Sequence, residues 1–216
     1  MPPALGDHDA RRLAVSEAVW RVLAAQGFGG LRLRAVAAEM GASTGLLTHY
    51  FPTKRALLVY ALDLLDQRNE TRPRRAEPAD GSPPPAEGLA MLREVLVDIL
   101  PLDQDSIASN RIWVGSWDVA LADPEFGAEH DRRYARSREK MRKHVETAQR
   151  LGQLPETVDS ADVAAAAQGF VLGLVVQALF APAQFPPERQ IALVDRHLAA
   201  LARGTIAEAG GPADPG

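Results

Sequence analysis

LRAVAAEMGASTGLLTHYFPTKRALL, residues 33–58, contains two short helical patterns separated by a glycine turn. The first pattern predicts a helix over 33–40, because its apolar residues recur at helical spacing. Those residues are Val36, Ala37 and Met40. Gly41 can end this helix, since glycine adopts the left-handed conformation at a helix C-terminus without steric cost.

The second pattern begins after the turn, where Ser43 or Thr44 can cap a helix by accepting a free backbone N–H. Pro52 ends this second helix, because proline cannot continue it. Two short helices joined by a tight turn make a helix-turn-helix. We therefore predict that the second helix enters the major groove of DNA.

The residue types on and around the second helix suit contacts with DNA. Small or hydrogen-bonding side chains near its start can reach base edges, and Tyr50, Lys54 and Arg55 at its far end can reach phosphates. The predicted DNA-binding residues are Arg34, Ser43, Thr44, Gly45, Leu46, Thr48, His49, Tyr50 and Lys54. For His49 and Leu46, the alternative is a surface residue without a DNA contact. The residues expected in the core are Val36, Leu47 and Phe51.

Helical periodicity continues along the rest of the chain and strand-like alternation is nearly missing, so the predicted fold class is all-α. The other predicted helices are 9–26, 54–70, 86–100, 103–122, 124–151, 160–181 and 187–205. The proline-rich stretch 71–88 is expected to be a flexible linker. We predict a three-helix DNA-binding domain over 1–52, a helical ligand-binding and dimerisation domain over 53–208, and a flexible tail over 209–216.

The composition of the 216 residues, 46% hydrophobic and 24% charged, is that of an ordinary globular protein. The absence of cysteine excludes disulfides, thiolate metal sites and a cysteine nucleophile. Residues 1–60 hold seven basic side chains against four acidic ones, while the remainder holds seventeen against twenty-four, so a basic head precedes an acidic body. The start of the chain does not have the pattern of a signal peptide, which predicts a cytoplasmic protein. No catalytic constellation stands out, so we predict no enzymatic activity, no metal and no cofactor.

Two tryptophans indicate a place for a small ligand in the second domain. Asn110, Trp113, Trp117 and Leu121 lie at spacings of three, four and four, which predicts one helical face. Paired indole rings can hold a cation, and ordinary core packing is the alternative. The predicted ligand-binding residues are Asn110, Trp113, Trp117, Tyr134, Phe170 and Gln177.

The nineteen residues 163–181 contain no charged side chain, which raises the question of a membrane helix. Their Ala and Gly content, and the lack of nearby basic anchors, favour a helix buried on nearly all sides. A soluble or membrane-associated scaffold protein is the alternative class. Fractionation would separate such a protein from a soluble dimer.

The basic run over 132–143 also has two interpretations. It can contact nucleic acid, or it can form a solvated face whose cations pair with carboxylates along the same helix. The spacing favours the second interpretation. The carboxylates in question are Glu129, Asp131, Glu139 and Glu146.

Residues 33–58 closely resemble the DNA-binding domain of the TetR/AcrR family of bacterial regulators. The resemblance rests on Ser-Thr-Gly, His-Tyr-Phe and Lys-x-x-Leu-Leu, which begin at Ser43, His49 and Lys54. Trp113 and Trp117, followed by the Ala-Asp-Pro that begins at residue 122, resemble the subgroup around the choline-responsive regulator of glycine betaine synthesis. Two departures are Arg32, where the family places a capping Ser or Thr, and Thr48, where an aromatic residue is common.

The resemblance implies a repressor that binds a palindromic operator in double-stranded DNA as a homodimer and is released by a small-molecule inducer. It implies a four-helix interface built by 163–181 and the final helix of each subunit, where Gly169 and Gly173 would allow close approach. The apolar seam expected on the final helix is Ile191, Val194, Leu198 and Leu201. No membrane contact is expected, and the inducer is expected to be either a quaternary ammonium compound or a lipophilic one.

Overall fold

The structure is a computed structural model that describes residues 5–71 and 87–204. These residues form ten α-helices and no strand, so the predicted all-α fold class is confirmed. The helices are α1 (Leu5–Gly30), α2 (Leu33–Met40), α3 (Thr44–Tyr50), α4 (Lys54–Thr71), α5 (Leu89–Ile99), α6 (Gln104–Gly115), α7 (Trp117–Ala122), α8 (Pro124–Arg150), α9 (Ser160–Phe180) and α10 (Pro187–Ala202).

The described residues divide into two compact units. The first unit contains 5–71 and 108–130, and the second contains 87–107 and 131–204. Most of the predicted linker 71–88, and all of the predicted tail 209–216, lie outside the described residues. The domain boundary expected after residue 52 stays a prediction.

The first unit has a core to which the N-terminal helices each contribute one buried side. Val19 of α1, Val36 of α2, Leu47 of α3 and Leu62 of α4 are all completely buried, and Phe51 is 4% exposed. The predicted core positions Val36, Leu47 and Phe51 are therefore confirmed. A helix of seven or eight residues has marginal stability alone, so α2 and α3 depend on this packing against the longer helices.

The single helix predicted over 103–122 is wrong, because Ser116 separates α6 from α7. The Ser116 hydroxyl donates to the carbonyl oxygen of Trp113 at 2.6 Å and lies 3.1 Å from Nε2 of His130. A serine hydroxyl that bonds the backbone in this way competes with the helical hydrogen bonds. Trp113 and Trp117 therefore stand on different helices, and Leu121 is 89% exposed instead of sharing their face.

In the second unit, α9 is long and apolar but incompletely covered. Among the described residues it is the one helix long and apolar enough to cross a membrane. Only 44% of that apolar window is buried, so the prediction of a helix covered on nearly all sides is wrong for the single chain. Its exposed residues repeat at helical spacing and include Ala165, Ala166, Gly169, Gly173, Gln177 and Phe180.

The apolar seam predicted on α10 is used inside the chain. Val194 is completely buried, and Leu198 and Leu201 are 4% and 8% exposed. Arg93 of α5 also holds α10 through hydrogen bonds of 2.6 and 3.2 Å to the Asp195 carboxylate. These three residues are covered within the chain, so the prediction that they face a second subunit is wrong, while Ile191 is half-buried.

Candidate nucleic-acid interface and ligand region

The turn between α2 and α3 sets the start of the candidate nucleic-acid interface. Gly41 adopts the left-handed conformation, with φ 62° and ψ 27°, which glycine tolerates without strain. Its N–H donates to the carbonyl oxygen of Ala38 at 3.2 Å, and the N–H of Ala42 donates to that of Ala37 at 2.9 Å. These two bonds satisfy the last carbonyls of α2 and end the helix, so that α3 can begin in a new direction.

The recognition helix α3 has one buried apolar side and one exposed polar side. Ser43 caps it by accepting the N–H of Leu46 at 3.4 Å, and Leu47 points into the core. The Thr48 hydroxyl donates to the carbonyl oxygen of Thr44 at 2.9 Å, so its oxygen is left to accept a hydrogen bond from a base amino group. Of the predicted residues here, Ser43, Thr44, Gly45, Thr48 and His49 are exposed, and Leu46 and Tyr50 are half-buried.

Exposed cations precede and follow α3 in the chain. Arg34 lies in the first turn of α2, and Lys54 is the first residue of α4, which Thr53 caps by accepting the N–H of Ala56 at 3.0 Å. Arg55, in contrast, forms an ion pair with Glu125. A phosphate contact by Arg55 would have to displace that carboxylate. The ion pairs that the structure describes do not involve Arg34 or Lys54, so these two side chains have no such competing carboxylate there.

The start of α2 offers a second cation. Arg32 has an extended backbone, and its side chain does not cap the helix, as the departure from the family pattern predicts. An open cleft of about 420 Å³ lies beside it. The cleft is lined by Gln26, Gly30, Arg32, Arg34, Ala35 and Ala38.

His130 is a buried residue beside Trp113 that the sequence did not identify as part of the candidate ligand site. Its ring packs against Trp113 and Phe126, with centroid distances of 4.5 and 5.4 Å, and it is 5% exposed. Because the Ser116 hydroxyl already gives its proton to Trp113, the contact with Nε2 is a hydrogen bond only if that nitrogen carries a proton. The pair His130-Asp131 alone is too little to indicate a catalytic site, and nothing in the local sequence indicates that the ring would be buried. Within the described residues, no group of three potential metal ligands exists.

Trp117 has an unusual polar atom. The residue is half-buried, yet its indole Nε1–H is buried without an acceptor among the described residues. Leaving such a donor unpaired costs about 1–3 kcal/mol. Asn110, on the preceding helix, is half-buried and Asp118 is exposed.

The other three predicted ligand-binding residues belong to the second unit. Tyr134 accepts a 3.3 Å hydrogen bond at its carbonyl oxygen from the buried Gln168, which also accepts one from Arg138 at 3.2 Å. Phe170 stacks on His197, with ring centroids 4.1 Å apart. Gln177 is exposed. Phe170 and Tyr134 thus take part in helix packing, and Gln177 does not line an enclosed site within this unit.

Two family models match the chain. The model described as bacterial regulatory proteins, tetR family, matches residues 15–61, which include α2 and α3. The model described as BetI-type transcriptional repressor, C-terminal, matches residues 88–203, more than half of the chain. The matches together cover both compact units.

Curated relatives of the chain are transcriptional regulators. It is 26% identical over 196 residues to the HTH-type transcriptional regulator PksA of Bacillus subtilis, a match covering 90% of this chain and 91% of PksA. It is 30% identical over 124 residues to the HTH-type transcriptional regulator BetI of Burkholderia mallei, covering 56% of this chain and 60% of that protein.

Solved structures share the fold. A transcriptional regulator from Rhodococcus sp. RHA1 has a TM-score of 0.73 at 23% identity, covering 89% of this chain and 96% of its own. A regulator from Saccharomonospora viridis, solved in complex with choline, has a TM-score of 0.73 at 19% identity, covering 88% and 96%. At these identities the likeness concerns the arrangement of helices.

Proposed function

The chain belongs to the TetR family of bacterial regulatory proteins. From this premise we propose that it represses transcription by binding a palindromic operator as a homodimer. We propose further that it dissociates from the operator when a small-molecule inducer binds. As a transcriptional regulator it binds DNA and is not an enzyme. We assign DNA binding to residues 1–52, and ligand binding and dimerisation to 53–208. We expect the protein to act in the cytoplasm.

The exposed polar side of α3 is the observation that carries the DNA part of the proposal. Thr44 and Thr48 are exposed on it and can contact base edges, while Arg34 and Lys54 can neutralise phosphates. Because Leu47 is buried completely, the contacting side chains stand on a rigid element. Two such heads in a homodimer would read two half-sites, which is why the operator is proposed to be palindromic.

The uncovered side of α9 supports the homodimer. A Cβ added at Gly169 or Gly173 would meet nothing within 4 Å, and Phe180 is 83% exposed. An apolar surface of this kind is more stable when a second apolar surface covers it, and a twofold dimer brings the same side of a second copy against it. We propose that α9 supplies most of the dimer contact, in place of the α10 seam.

We propose that the inducer binds beside Trp117, where the indole N–H lacks an acceptor among the described residues. Choline, which the S. viridis regulator binds, has a hydroxyl oxygen that can accept from this donor and a cation that can lie on an indole face. A lipophilic inducer is the second candidate. The packing of His130 on Trp113 favours it, because one of the two indole rings is already partly covered.

Selection from a pool of random duplexes with the full-length chain tests the DNA part, and a palindromic sequence should be enriched. Lys54→Ala should weaken binding to every duplex and reduce the slope of log K against log salt by about 1, because a phosphate contact carries no base readout. Thr48→Ala should instead cost about 1–3 kcal/mol on the selected duplex and relax its base preference.

Arg55→Ala is the matched control for Lys54→Ala, because Arg55 lies beside Lys54 on the same helix but is paired with Glu125. Arg55→Ala should change the DNA affinity and the salt slope less than Lys54→Ala does. Enrichment of no palindrome, or a Lys54 variant that keeps its salt slope and prefers different bases, would contradict the assignment.

Calorimetric titration with choline and with lipophilic compounds tests the ligand part. Trp117→Leu removes the aromatic ring, so choline should lose roughly tenfold or more in affinity while a lipophilic inducer should lose little. Trp117→Phe keeps a ring but removes the N–H donor, and should reduce choline affinity by less. Equal choline binding by the Leu variant and the unaltered chain would refute the quaternary ammonium candidate.

A further inference from the structure

A row of cations runs along one side of α8 and takes no part in the proposed DNA-binding head. Arg132, Arg136, Lys140 and Lys143 are all exposed. Their spacings of four, four and three residues place them on one helix face. At about 1.5 Å per residue the row is about 16 Å long. These four residues are called the basic stripe below.

Cations on the neighbouring side of α8 are neutralised within the helix. Arg142 donates to the Glu139 carboxylate at 2.8 and 2.9 Å and also pairs with Glu146. This hydrogen bonding lowers the pKa of Glu139, so the carboxylate is held in its ionised form. Arg138 lies 3.8 Å from Asp131. The sequence-based expectation of pairing along the helix is therefore met on this side.

The basic stripe has a different environment. In the part of the chain that the structure describes, no ion pair joins Arg136, Lys140 or Lys143 to a carboxylate, although the charge of Lys143 contributes to the lowered pKa of Glu139. Like charges four residues apart on a helix repel, which slightly destabilises the helix. The stripe contains such a pair in Arg136 and Lys140. An anionic partner outside the chain would relieve this repulsion.

The surroundings of the basic stripe favour a polyanion over a lipid surface or a protein. Its exposed neighbours Ala135 and Glu139 provide no large apolar side chain. A helix that lies on a membrane needs an apolar face that enters the lipid, and a protein interface needs aromatic or aliphatic anchors. Duplex DNA presents one phosphate about every 3.4 Å along each strand, so a row of this length spans several phosphates.

We propose that the basic stripe is a second DNA contact, which binds the phosphate backbone of duplex DNA without reading its sequence. This contact goes beyond the operator binding proposed for α3. It raises the affinity for duplex DNA of any sequence and leaves the choice of operator unchanged.

Charge reversal in the full-length chain tests the proposal. Lys140→Glu combined with Lys143→Glu should weaken binding to a non-operator duplex of about 40 base pairs about tenfold at about 50 mM salt, and should reduce the salt slope by about 2. Fluorescence anisotropy between about 50 and 200 mM salt measures both quantities. The same loss should occur when Lys54→Ala is also present. The result therefore does not depend on the role proposed for α3.

Two controls separate local contact from general charge. Lys140→Arg with Lys143→Arg keeps the cations and should keep the affinity. Arg196→Glu with Arg203→Glu changes two exposed cations elsewhere and should cost little. Unchanged DNA affinity in the stripe variant, or an equal loss in either control, overturns the proposal. Binding to phosphatidylserine vesicles that the stripe variant loses while its DNA affinity is unchanged would also overturn it, in favour of a membrane partner.

Discussion

The helices α3 and α9 differ in how completely the chain covers their apolar side chains. In α3, Leu47 is completely buried, and the residues that face solvent are mainly polar. In α9, Phe180 is 83% exposed, and Gly169 and Gly173 lie on the same uncovered side. The exposed side of α3 offers hydrogen-bonding groups, which suit a base edge, whereas that of α9 offers apolar surface, which suits another apolar helix.

Leu47→Ala should have the largest effect, because it removes the apolar anchor of α3. Deleting a completely buried leucine side chain leaves a cavity and costs about 2–5 kcal/mol. The free energy of unfolding, measured by denaturant titration, should fall by this amount, and DNA binding should weaken with it.

His49→Ala is the control on the opposite side of α3. This residue is exposed, so its replacement should change the free energy of unfolding by less than about 0.5 kcal/mol. Equal losses of unfolding free energy in the two variants would mean that the buried and exposed sides of α3 contribute equally to stability.

Gly173→Glu should have the next largest effect, and it acts on association instead of folding. The added side chain meets nothing in the single chain, and replacing a helical glycine adds up to about 1 kcal/mol of helix stability. In the proposed dimer the same carboxylate would be buried without a partner, so the dissociation constant should rise tenfold or more. Light scattering and circular dichroism together separate these two effects.

Ala161→Glu is the matched control, since it adds the same charge at an exposed position in the first turn of α9, twelve residues before Gly173 and away from the middle of the uncovered side. It should leave the dimer intact. A Gly173 variant that dimerises as tightly as the unaltered chain would exclude this side of α9 from the interface.

The helix-turn-helix could be predicted residue by residue because its boundaries are set locally. Gly41 ends α2 through its own backbone conformation, Ser43 caps α3 from three residues away, and Pro52 prevents continuation. Each of these effects depends only on near neighbours in sequence. The predicted DNA-binding residues all lie on exposed or half-buried positions for the same reason, and their contacts with DNA stay a prediction.

The break at Ser116 could not be predicted because its cause lies partly outside the local sequence. Ser116 is completely buried, and its oxygen meets His130, which is fourteen residues away. Sequence spacing alone supports an unbroken helix with Trp113 and Trp117 on one face. The contact that stabilises the break becomes visible only when α8 is packed against it.

The covering of α9 and α10 could not be predicted for a related reason. An apolar spacing identifies a side that avoids water, but it does not say whether the same chain or a second copy covers it. Val194 and Leu198 are covered within the chain, while Gly173 and Phe180 are not. The distinction depends on where the other helices of the second unit lie.

The contact between α9 and α10 contains a histidine ring, whereas the completely buried residue of α3 is Leu47, which does not titrate. His197 stacks on Phe170 with an angle of 4° between the rings, and its Nε2 is buried without a partner in the described residues. Burial lowers the pKa of His197 below its ordinary value, because the charged form is poorly solvated there. The folded chain therefore binds fewer protons at this site than the unfolded chain does.

His197→Phe should give the smallest effect, and it concerns pH dependence. The unfolded chain binds a proton at this histidine as the pH falls below about 6.5. The neutral ring therefore contributes its full stability above about pH 6.5. This stability is lost as the pH falls from about 6.5 to the lower pKa that the histidine has in the folded chain. The phenylalanine variant keeps a ring against Phe170 and cannot titrate. Between about pH 7.5 and 5.5 its Tm should fall by about 1–2 °C less than that of the unaltered chain in thermal unfolding. Equal falls in Tm would mean that folding does not change the proton affinity of His197. Protonation of His197 would then not weaken the packing of α9 on α10.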